Sequence, residues 1–211
     1  LVGGGGNDLL NGGEGSDTLV GGLGDDTYRF TDAVASQRDV VTELAGEGAD
    51  TLDFSATTTA LSVDLGSDAA TATHALRTVQ TAALGQSANW ENVLGGGGAD
   101  ALRGNAAANL LVGNGGDDLL AGGAGSDTLR GGLGNDRYVF VDAETDETDV
   151  VNELAIEGVD TLDFAALTVD VTADLTSHSA LATHLRRMVQ TTAGQQGYFE
   201  NITGGSGNDR F

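Results

Sequence analysis

GGEGSDTLV (Gly12–Val20) is one copy of a nine-residue pattern that recurs along the chain. The pattern has glycine at positions one, two and four, aspartate at position six and an aliphatic or aromatic residue at position eight. The adjacent copies are GGGGNDLLN (Gly3–Asn11) and GGLGDDTYR (Gly21–Arg29), and five more run from Gly95 to Val139. A last copy, GGSGNDRF (Gly204–Phe211), is cut short where the chain ends.

A second, longer repeat contains the first. GGLGDDTYRF (Gly21–Phe30) returns 110 positions later as GGLGNDRYVF (Gly131–Phe140), and DVVTELAGEGADTLDF (Asp39–Phe54) returns as DVVNELAIEGVDTLDF (Asp149–Phe164). Internal repeats of this kind must be found first because they decide the fold. We expect a fragment of a longer array, since the pattern is open at both ends. The predicted organisation is module 1 at 1–94 (nonapeptides 3–29, insert 30–94), module 2 at 95–203 (nonapeptides 95–139, insert 140–203), and a further truncated repeat at 204–211.

The nine-residue period predicts an all-β protein, a parallel β-roll or solenoid. Glycines supply a tight turn, and the residues after the aspartate form a short strand with position eight on one face. Eighteen residues then complete a coil of two strands. Stacked coils would point the leucines into a narrow core: Leu10, Leu19, Leu102, Leu111, Leu120 and Leu129.

The inserts are predicted to continue the coil with longer turns. DVVTE (Asp39–Glu43) and LSVDL (Leu61–Leu65) alternate as strands do. AGEGADTLD (Ala45–Asp53) and AIEGVDTLD (Ala155–Asp163) are interpreted as degraded nonapeptides. The segments around the matched histidines, His74 and His184, fit either a short helix or a strand.

The charge of the chain limits its partners. There are 34 glycines, no proline and no cysteine, and nine basic residues, all arginine, stand against 32 acidic ones, for a net charge of −23. Such a chain repels itself when compact, so a cationic partner is expected. The same charge disfavours nucleic acid, whose phosphates need a basic surface, and anionic membranes. No apolar run is long enough for membrane insertion as a helix.

Stacked turns would place aspartates at the spacing of a calcium site. Neighbouring strands lie about 4.7–4.9 Å apart and Ca²⁺–oxygen bonds are about 2.3–2.6 Å. Turns on one edge are eighteen residues apart, and their glycines let main-chain carbonyls turn inward as further ligands. Oxygen ligands without cysteine or clustered histidine favour Ca²⁺ over Mg²⁺ or a softer metal. The predicted pairs are Asp8 with Asp26, Asp100 with Asp118, Asp118 with Asp136, and Asn109 with Asp127; the predicted glycines are Gly4, Gly6, Gly21, Gly96, Gly98, Gly113, Gly115, Gly122 and Gly131.

Some of these positions depart from the pattern. Asn109 replaces aspartate, which weakens the site that it would share with Asp127. Asp17 has no partner eighteen residues away, and Asp209 lies in the truncated turn. Missing flanking coils could complete both sites.

The repeat GGxGxDxUx resembles the RTX (repeats-in-toxin) family of secreted bacterial proteins. DTLDFSA (Asp50–Ala56) and the stretch from Trp90 to Asp118 are similar to the C-terminal β-roll region of serralysin-type metalloproteases. The resemblance implies a right-handed parallel β-roll, Ca²⁺ between turns, and type I secretion of an unfolded chain that folds outside the cell. Extracellular calcium modules have affinities of about 10⁻⁴–10⁻³ M, so calcium would couple folding to export.

Other motifs have weaker alternatives. DAETDETDVVNE (Asp142–Glu153) imitates an EF-hand loop but has Glu147 where glycine is required. Trp90 and the pair Tyr198/Phe199 fit a sugar-binding surface or, more simply, a core plug where each insert rejoins the roll. The histidines fit packing or hydrogen bonding. Eight acidic insert residues fit either extra calcium ligands or a solvated strand face: Asp39, Glu43, Asp50, Asp53, Asp149, Glu153, Asp160 and Asp163.

Three functions remain open at this point. The chain lacks HExxH and GxSxG motifs, so we expect no catalysis of its own. The first hypothesis is a calcium-folded scaffold, such as an adhesin, surface-layer or matrix filament, with end-to-end self-association through open strand edges. The second is the C-terminal accessory region of a secreted protease, lipase or polysaccharide-modifying enzyme. The third is polysaccharide binding through the inserts.

Overall fold

The chain folds into two facing β-sheets, and the computed structural model describes residues 1–153 and 157–211. The strands are β1 Val2–Gly5, β2 Leu9–Leu10, β3 Thr18–Leu23, β4 Thr27–Arg29, β5 Gln37–Thr42, β6 Thr51–Asp53, β7 Leu61–Asp64, β8 Ala72–His74, β9 Arg77–Thr81, β10 Asn92–Leu94, β11 Ala101–Arg103, β12 Leu110–Gly115, β13 Leu119–Ala121, β14 Thr128–Leu133, β15 Arg137–Val139, β16 Glu147–Asn152, β17 Asp160–Asp163, β18 Thr172–Ala173, β19 Ala182–His184, β20 Arg187–Gln190 and β21 Phe199–Thr203. Two 3-10 helices, Gln86–Asn89 and Gln196–Tyr198, are the only helical turns in the described part.

One sheet has eleven strands in the order β1-β3-β5-β9-β8-β7-β11-β13-β15-β17-β21. The other has ten in the order β18-β19-β20-β16-β14-β12-β10-β6-β4-β2.

Each nonapeptide supplies one strand, and consecutive strands enter opposite sheets. β1 pairs with β3 and β2 with β4, both in parallel. Leu10 therefore stacks on Tyr28, and Leu111 stacks on Leu129, at the predicted interval of eighteen residues. This arrangement confirms the predicted parallel β-roll.

The core is one continuous cluster of buried side chains between the sheets, to which the position-eight residues and the inserts both contribute. All six predicted leucines are buried, with exposed fractions of at most 3%. Trp90 is also buried, and its ring lies edge-on to Tyr28 at 5.1 Å between centroids. Phe199 meets Tyr138 in the same way at 6.1 Å. The core-plug interpretation is confirmed for Trp90 and Phe199, whereas Tyr198 is half-buried and lies outside the core cluster.

The inserts add an antiparallel excursion to an otherwise parallel roll. In the first module β7, β8 and β9 form a meander, and β9 then pairs in parallel with β5. The segment with His74 is thus a strand, and so is its copy with His184. AGEGADTLD supplies β6, as predicted. AIEGVDTLD supplies β17, but its first two residues lie outside the described residues.

Equivalent strands of the two modules lie in opposite sheets. β3 belongs to the eleven-stranded sheet, whereas its copy β14, 110 residues on, belongs to the ten-stranded sheet. The chain crosses between the sheets nine times from β3 to β14, and an odd number of crossings exchanges the sheets. Matched residues of the modules therefore face opposite edges of the roll.

Both sheets continue from one predicted module into the next. β10 pairs with β6 on one side and β12 on the other, and β11 pairs with β7 and β13. The modules therefore share one core. Within the described residues, no helix is long and apolar enough to cross a membrane.

The strand alternation gives a matched pair of substitutions. Leu120 is fully buried, whereas its neighbour Leu119 has 38% of its surface exposed. Leu120→Ala should lower the free energy of unfolding by about 2–5 kcal/mol because it leaves a cavity. Leu119→Ala should change it by only about 0.5 kcal/mol. Urea unfolding in saturating calcium measures both, and equal losses would contradict the alternation.

Candidate calcium sites

The first glycine of each repeat makes room for the aspartate five residues later. A Cβ atom on Gly95 would lie 2.6 Å from Oδ2 of Asp100, closer than atoms can approach. The second and fourth glycines serve the turn itself, as in Gly22 with φ +106° and Gly24 with φ +120°. Residues other than glycine rarely adopt this left-handed backbone conformation. The glycine pattern thus allows a carboxylate to fold back under its own turn.

Each aspartate then binds the main chain of the preceding coil. The backbone N–H of Asp8 donates to Oδ1 of Asp26 at 2.8 Å, and that of Asp100 donates to Oδ1 of Asp118 at 2.7 Å. Asp118 donates in turn to Asp136 at 2.8 Å. The structure brings together these three predicted pairs. It also stacks Asn109 on Asp127, at 2.9 Å from N–H to Oδ1.

Asp17, which the eighteen-residue spacing leaves without a partner, has one within the chain. Its N–H donates to Oδ1 of Asp39 at 2.9 Å, across 22 residues rather than eighteen. The register of the paired strands decides which residues stack. Because the turn that leads into the insert is longer than an ordinary one, a constant spacing of eighteen residues does not find this pair. Asp209 accepts from the N–H of Val171 at 3.0 Å. Three further pairs have unequal spacing in the same way: Asp26 with Asp50, Asp127 with Asp149, and Asp136 with Asp160.

One oxygen of many of these carboxylates is left without a hydrogen bond. The affected Oδ2 atoms are inaccessible to solvent, and a buried acceptor without a partner is costly. A hard cation between the turns would satisfy them, and oxygen is the ligand that Ca²⁺ prefers. The residues present therefore fit calcium. The unpartnered atoms belong to Asp8, Asp17, Asp26, Asp118, Asp127 and Asp136.

Burial raises the pKa of three stacked carboxyls, those of Asp118, Asp127 and Asp136. The pKa of Asp118 rises to about 8, through burial first and then through the negative charges of Asp100 and Asp136 on the adjacent coils. Burial likewise raises the pKa of Asp127 and of Asp136 to about 7. The stacked turns thus resist ionisation unless a cation compensates them.

The predicted glycines divide into three groups. Gly4 and Gly6 have the left-handed backbone expected of a turn. Gly96 packs against Thr57 and Gly98 against Thr59, because the turn beneath them belongs to the insert. The others lie close to aspartate or to neighbouring main chain: Gly21, Gly113, Gly122 and Gly131 abut the carboxylate of their own repeat, and Gly115 lies near Leu133. Carbonyl ligation by these glycines stays a prediction.

At two turns an arginine provides the positive charge. Arg77 is buried, contacts Oδ2 of Asp39 and donates to the carbonyl of Gly13 at 3.0 Å. Arg187 repeats this in module 2, with Asp149 and with the carbonyl of Gly123 at 2.7 Å. At these two turns the structure therefore pairs the acidic insert residue with a buried arginine.

The remaining acidic insert residues are of two kinds: some pair with an arginine and the others lie in carboxylate clusters. Asp53 and Asp163 accept from Arg29 and Arg137, each at 2.8 Å. Two clusters of three carboxylates remain, in which the oxygens lie within 4.8 Å of one another. These are Asp26, Glu43 and Asp50, and their copies Asp136, Glu153 and Asp160.

The alternative motifs do not assemble sites. Half of the EF-hand-like stretch is strand β16, in which Glu147 is paired with Arg187. His74 is buried, and its Nε2 lies 2.7 Å from the Thr59 hydroxyl and 3.0 Å from Asp32. This agrees with a histidine used in hydrogen bonding.

The geometry defines a class: a β-roll whose stacked acidic turns can hold cations. The family model of the RTX calcium-binding nonapeptide repeat matches four times, at residues 1–28, 94–129, 103–138 and 197–211. The chain therefore carries the RTX calcium-binding nonapeptide repeat. RTX repeats bind Ca²⁺ and occur in secreted bacterial proteins. No curated protein matches the chain.

Removing one carboxylate charge tests the turn sites. Asp118→Asn keeps the acceptor for the N–H of Asp100 but removes the charge between two stacked turns. The calcium concentration at the folding midpoint should rise by about tenfold or more, because even residues that only orient a metal ligand typically contribute about 10–100-fold to metal affinity. Asp117→Asn removes the adjacent, exposed charge and is the matched control. Equal midpoints in calcium-titrated circular dichroism would count against the predicted pairing.

The arginine turns should respond differently. Arg77→Met leaves Asp39 buried without its partner, which typically costs about 3–5 kcal/mol. Asp39→Asn in the same chain should recover much of this loss because it removes the unpaired charge. Chemical unfolding at fixed calcium measures both variants. A double variant no more stable than Arg77→Met would mean that Asp39 is not the partner that matters.

The calcium-free chain should be more stable in mild acid. The raised carboxyl pKa values mean that the folded state holds more protons than the unfolded state. In a chelator, stability should fall as the pH rises from about 4, the ordinary range of aspartate, through about 8, the pKa of Asp118. Calcium needs the ionised groups, so its stabilisation should grow over the same range. Thermal unfolding with and without chelator at about pH 5.5 and about pH 8 tests both signs.

Proposed function

We propose that the chain is a calcium-folded structural module of a secreted or surface-attached bacterial protein, such as an adhesin, surface layer or matrix filament. One observation carries the proposal: both sheets pass from the first 110-residue copy into the second without interruption. Repeats that share one core add length rather than separate domains. Further copies would extend the same roll.

Calcium is proposed to control when this scaffold forms. A net charge of −23 and a core lined by carboxylates oppose folding without a cation. In a cytosol poor in calcium the chain stays open for export, and outside the cell calcium binding becomes folding free energy.

We also propose that the module has no catalysis of its own. Its buried acidic groups are engaged with main-chain N–H groups, arginine or other carboxylates. Its two matched histidines lie beside aspartates, His74 with Asp32 and His184 with Asp142. Each serves to hold an insert against the roll.

A second candidate is the accessory β-roll of a secreted enzyme. The likeness of the stretch from Trp90 to Asp118 to serralysin-type C-terminal regions favours it. The sequence flanking this chain in its parent protein separates the two. Further 110-residue modules support a scaffold, and a catalytic motif such as HExxH supports the enzyme.

Calcium titration of the intact chain tests the common part of both candidates. Circular dichroism should change from an unfolded to a β spectrum, and Trp90 fluorescence should shift as the indole is buried. Sedimentation velocity should report an elongated particle only with calcium. A chelated chain that is already folded, with a stability that calcium does not alter, contradicts the proposal. Magnesium at equal ionic strength is the control for charge screening.

A further inference from the structure

Each insert places a glutamate where the nonapeptide has its first glycine. Val20 pairs with Thr42 across β3 and β5, so Glu43 stacks directly on Gly21. Its carboxylate reaches back toward that glycine, whose Cβ would lie 2.5 Å from Oε1. The space that glycine leaves in one turn is thus filled by an acid from the next.

This acid completes a cluster of three carboxylates. Asp26 and Asp50 belong to consecutive turns, and the backbone N–H of Asp26 donates a hydrogen bond to Oδ1 of Asp50 at 2.8 Å. With Glu43 they bring three carboxylate oxygens within 4.8 Å. The second module repeats the cluster with Asp136, Glu153 and Asp160. We call these the first and second triads.

A tyrosine fixes the glutamate in each triad. Tyr28 occupies position eight, where the two preceding repeats have leucine, and its hydroxyl reaches through the core. The hydroxyl accepts from the N–H of Gly21 and contacts Oε1 of Glu43. Tyr138 does the same for Glu153, accepting from Gly131 at 2.6 Å. The other glutamate oxygen, Oε2, has no hydrogen-bond donor.

The free oxygens are the observation that points to a cation. Glu43 has no exposed surface and Asp26 has 1%, yet Oε2 and Oδ2 have no hydrogen-bond partner. Glu153 and Asp136 repeat this. Within residues 1–153 and 157–211, no ion pair involves any of the six triad acids, in contrast to the turns with Arg77 and Arg187. Burial raises the pKa of Glu43 to about 8 and that of Glu153 to about 9.

We propose that each triad is a calcium site, which binds the ion through three carboxylates from two consecutive turns and the strand end between them. The first triad shares Asp26 with the Asp8/Asp26 pair, and the second shares Asp136 with the Asp118/Asp136 pair. An ordinary pair of turns offers two aspartates, whereas a triad offers three acids, and ligand charge raises calcium affinity. The triads should therefore fill before the nonapeptide turns. The proposal does not depend on whether the parent protein is a scaffold or an enzyme.

Trp90 makes the first triad separately observable. It is the only tryptophan in the chain, and its ring touches Tyr28, which holds Glu43. The second triad has Phe199 in the equivalent place. Tb³⁺, used as a calcium probe, should show tryptophan-sensitised emission that reports mainly on the first triad.

The variants are Glu43→Gln and its matched control, Glu153→Gln. Isothermal titration with calcium should show one fewer high-affinity ion in each. Tryptophan-sensitised Tb³⁺ emission should fall in Glu43→Gln and persist in Glu153→Gln. In chelator both variants should be at least as stable as the parent chain, because each removes a buried negative charge. If the glutamate had a purely structural role, its replacement would instead lower the stability.

Two results overturn the site. The first is a folded Glu43→Gln chain with unchanged ion number, affinity and Tb³⁺ emission, which means that Glu43 serves only as a partner of Tyr28. The second is an absence of tryptophan-sensitised emission from the parent chain at saturating Tb³⁺. If Glu43→Gln fails to fold, Glu43→Gly restores the first glycine of the nonapeptide and is measured in the same way. Its failure to lose an ion equally overturns the site.

Discussion

A carboxylate buried beneath its own turn is the constraint on which this fold depends. In most repeats one aspartate oxygen accepts from the main chain of the preceding coil, as Asp118 does from Asp100. The other oxygen lies against the first glycine, and many such oxygens have no partner. The first glycine therefore leaves space for the aspartate side chain, and the aspartate connects one coil to the next by a hydrogen bond. Because this join buries negative charge, the roll needs positive charge at every level.

The turns differ in how this need is met. Ordinary turns leave carboxylate oxygens without a partner, where calcium fits. The turn of Asp39 receives the guanidinium of Arg77 from the end of a hairpin, so part of its compensation is covalently built into the protein. The turn of Glu43 instead adds a further acid, which contacts a tyrosine hydroxyl, and this increases the need for a cation. The turns thus differ in how much positive charge must come from outside the chain.

The sequence reveals whatever is strictly periodic. Spacing of nine predicts the strands, the leucine core and the eighteen-residue pairs, because register repeats with the count. Asp17 and Asp39 escaped prediction because the coil between them has 22 residues, and only strand pairing aligns them. The arginine partner was hidden for a similar reason, since Arg77 reaches Asp39 through a hairpin of unpredictable register. Glu43 carried a weak signal: it is followed by a degraded repeat, and Tyr28 replaces leucine at position eight.

The exchange of sheets between modules follows from topology rather than from local sequence. Nine crossings separate equivalent strands, so the two triads lie on opposite edges although their sequences match. In the first module the arginine turn lies at one edge of the roll and the triad at the other. In the second module the two edges are exchanged. Calcium-dependent and arginine-compensated turns therefore occur on both sides of the roll. A further module of equal length would return to the first arrangement, which makes two modules the structural period of such an array.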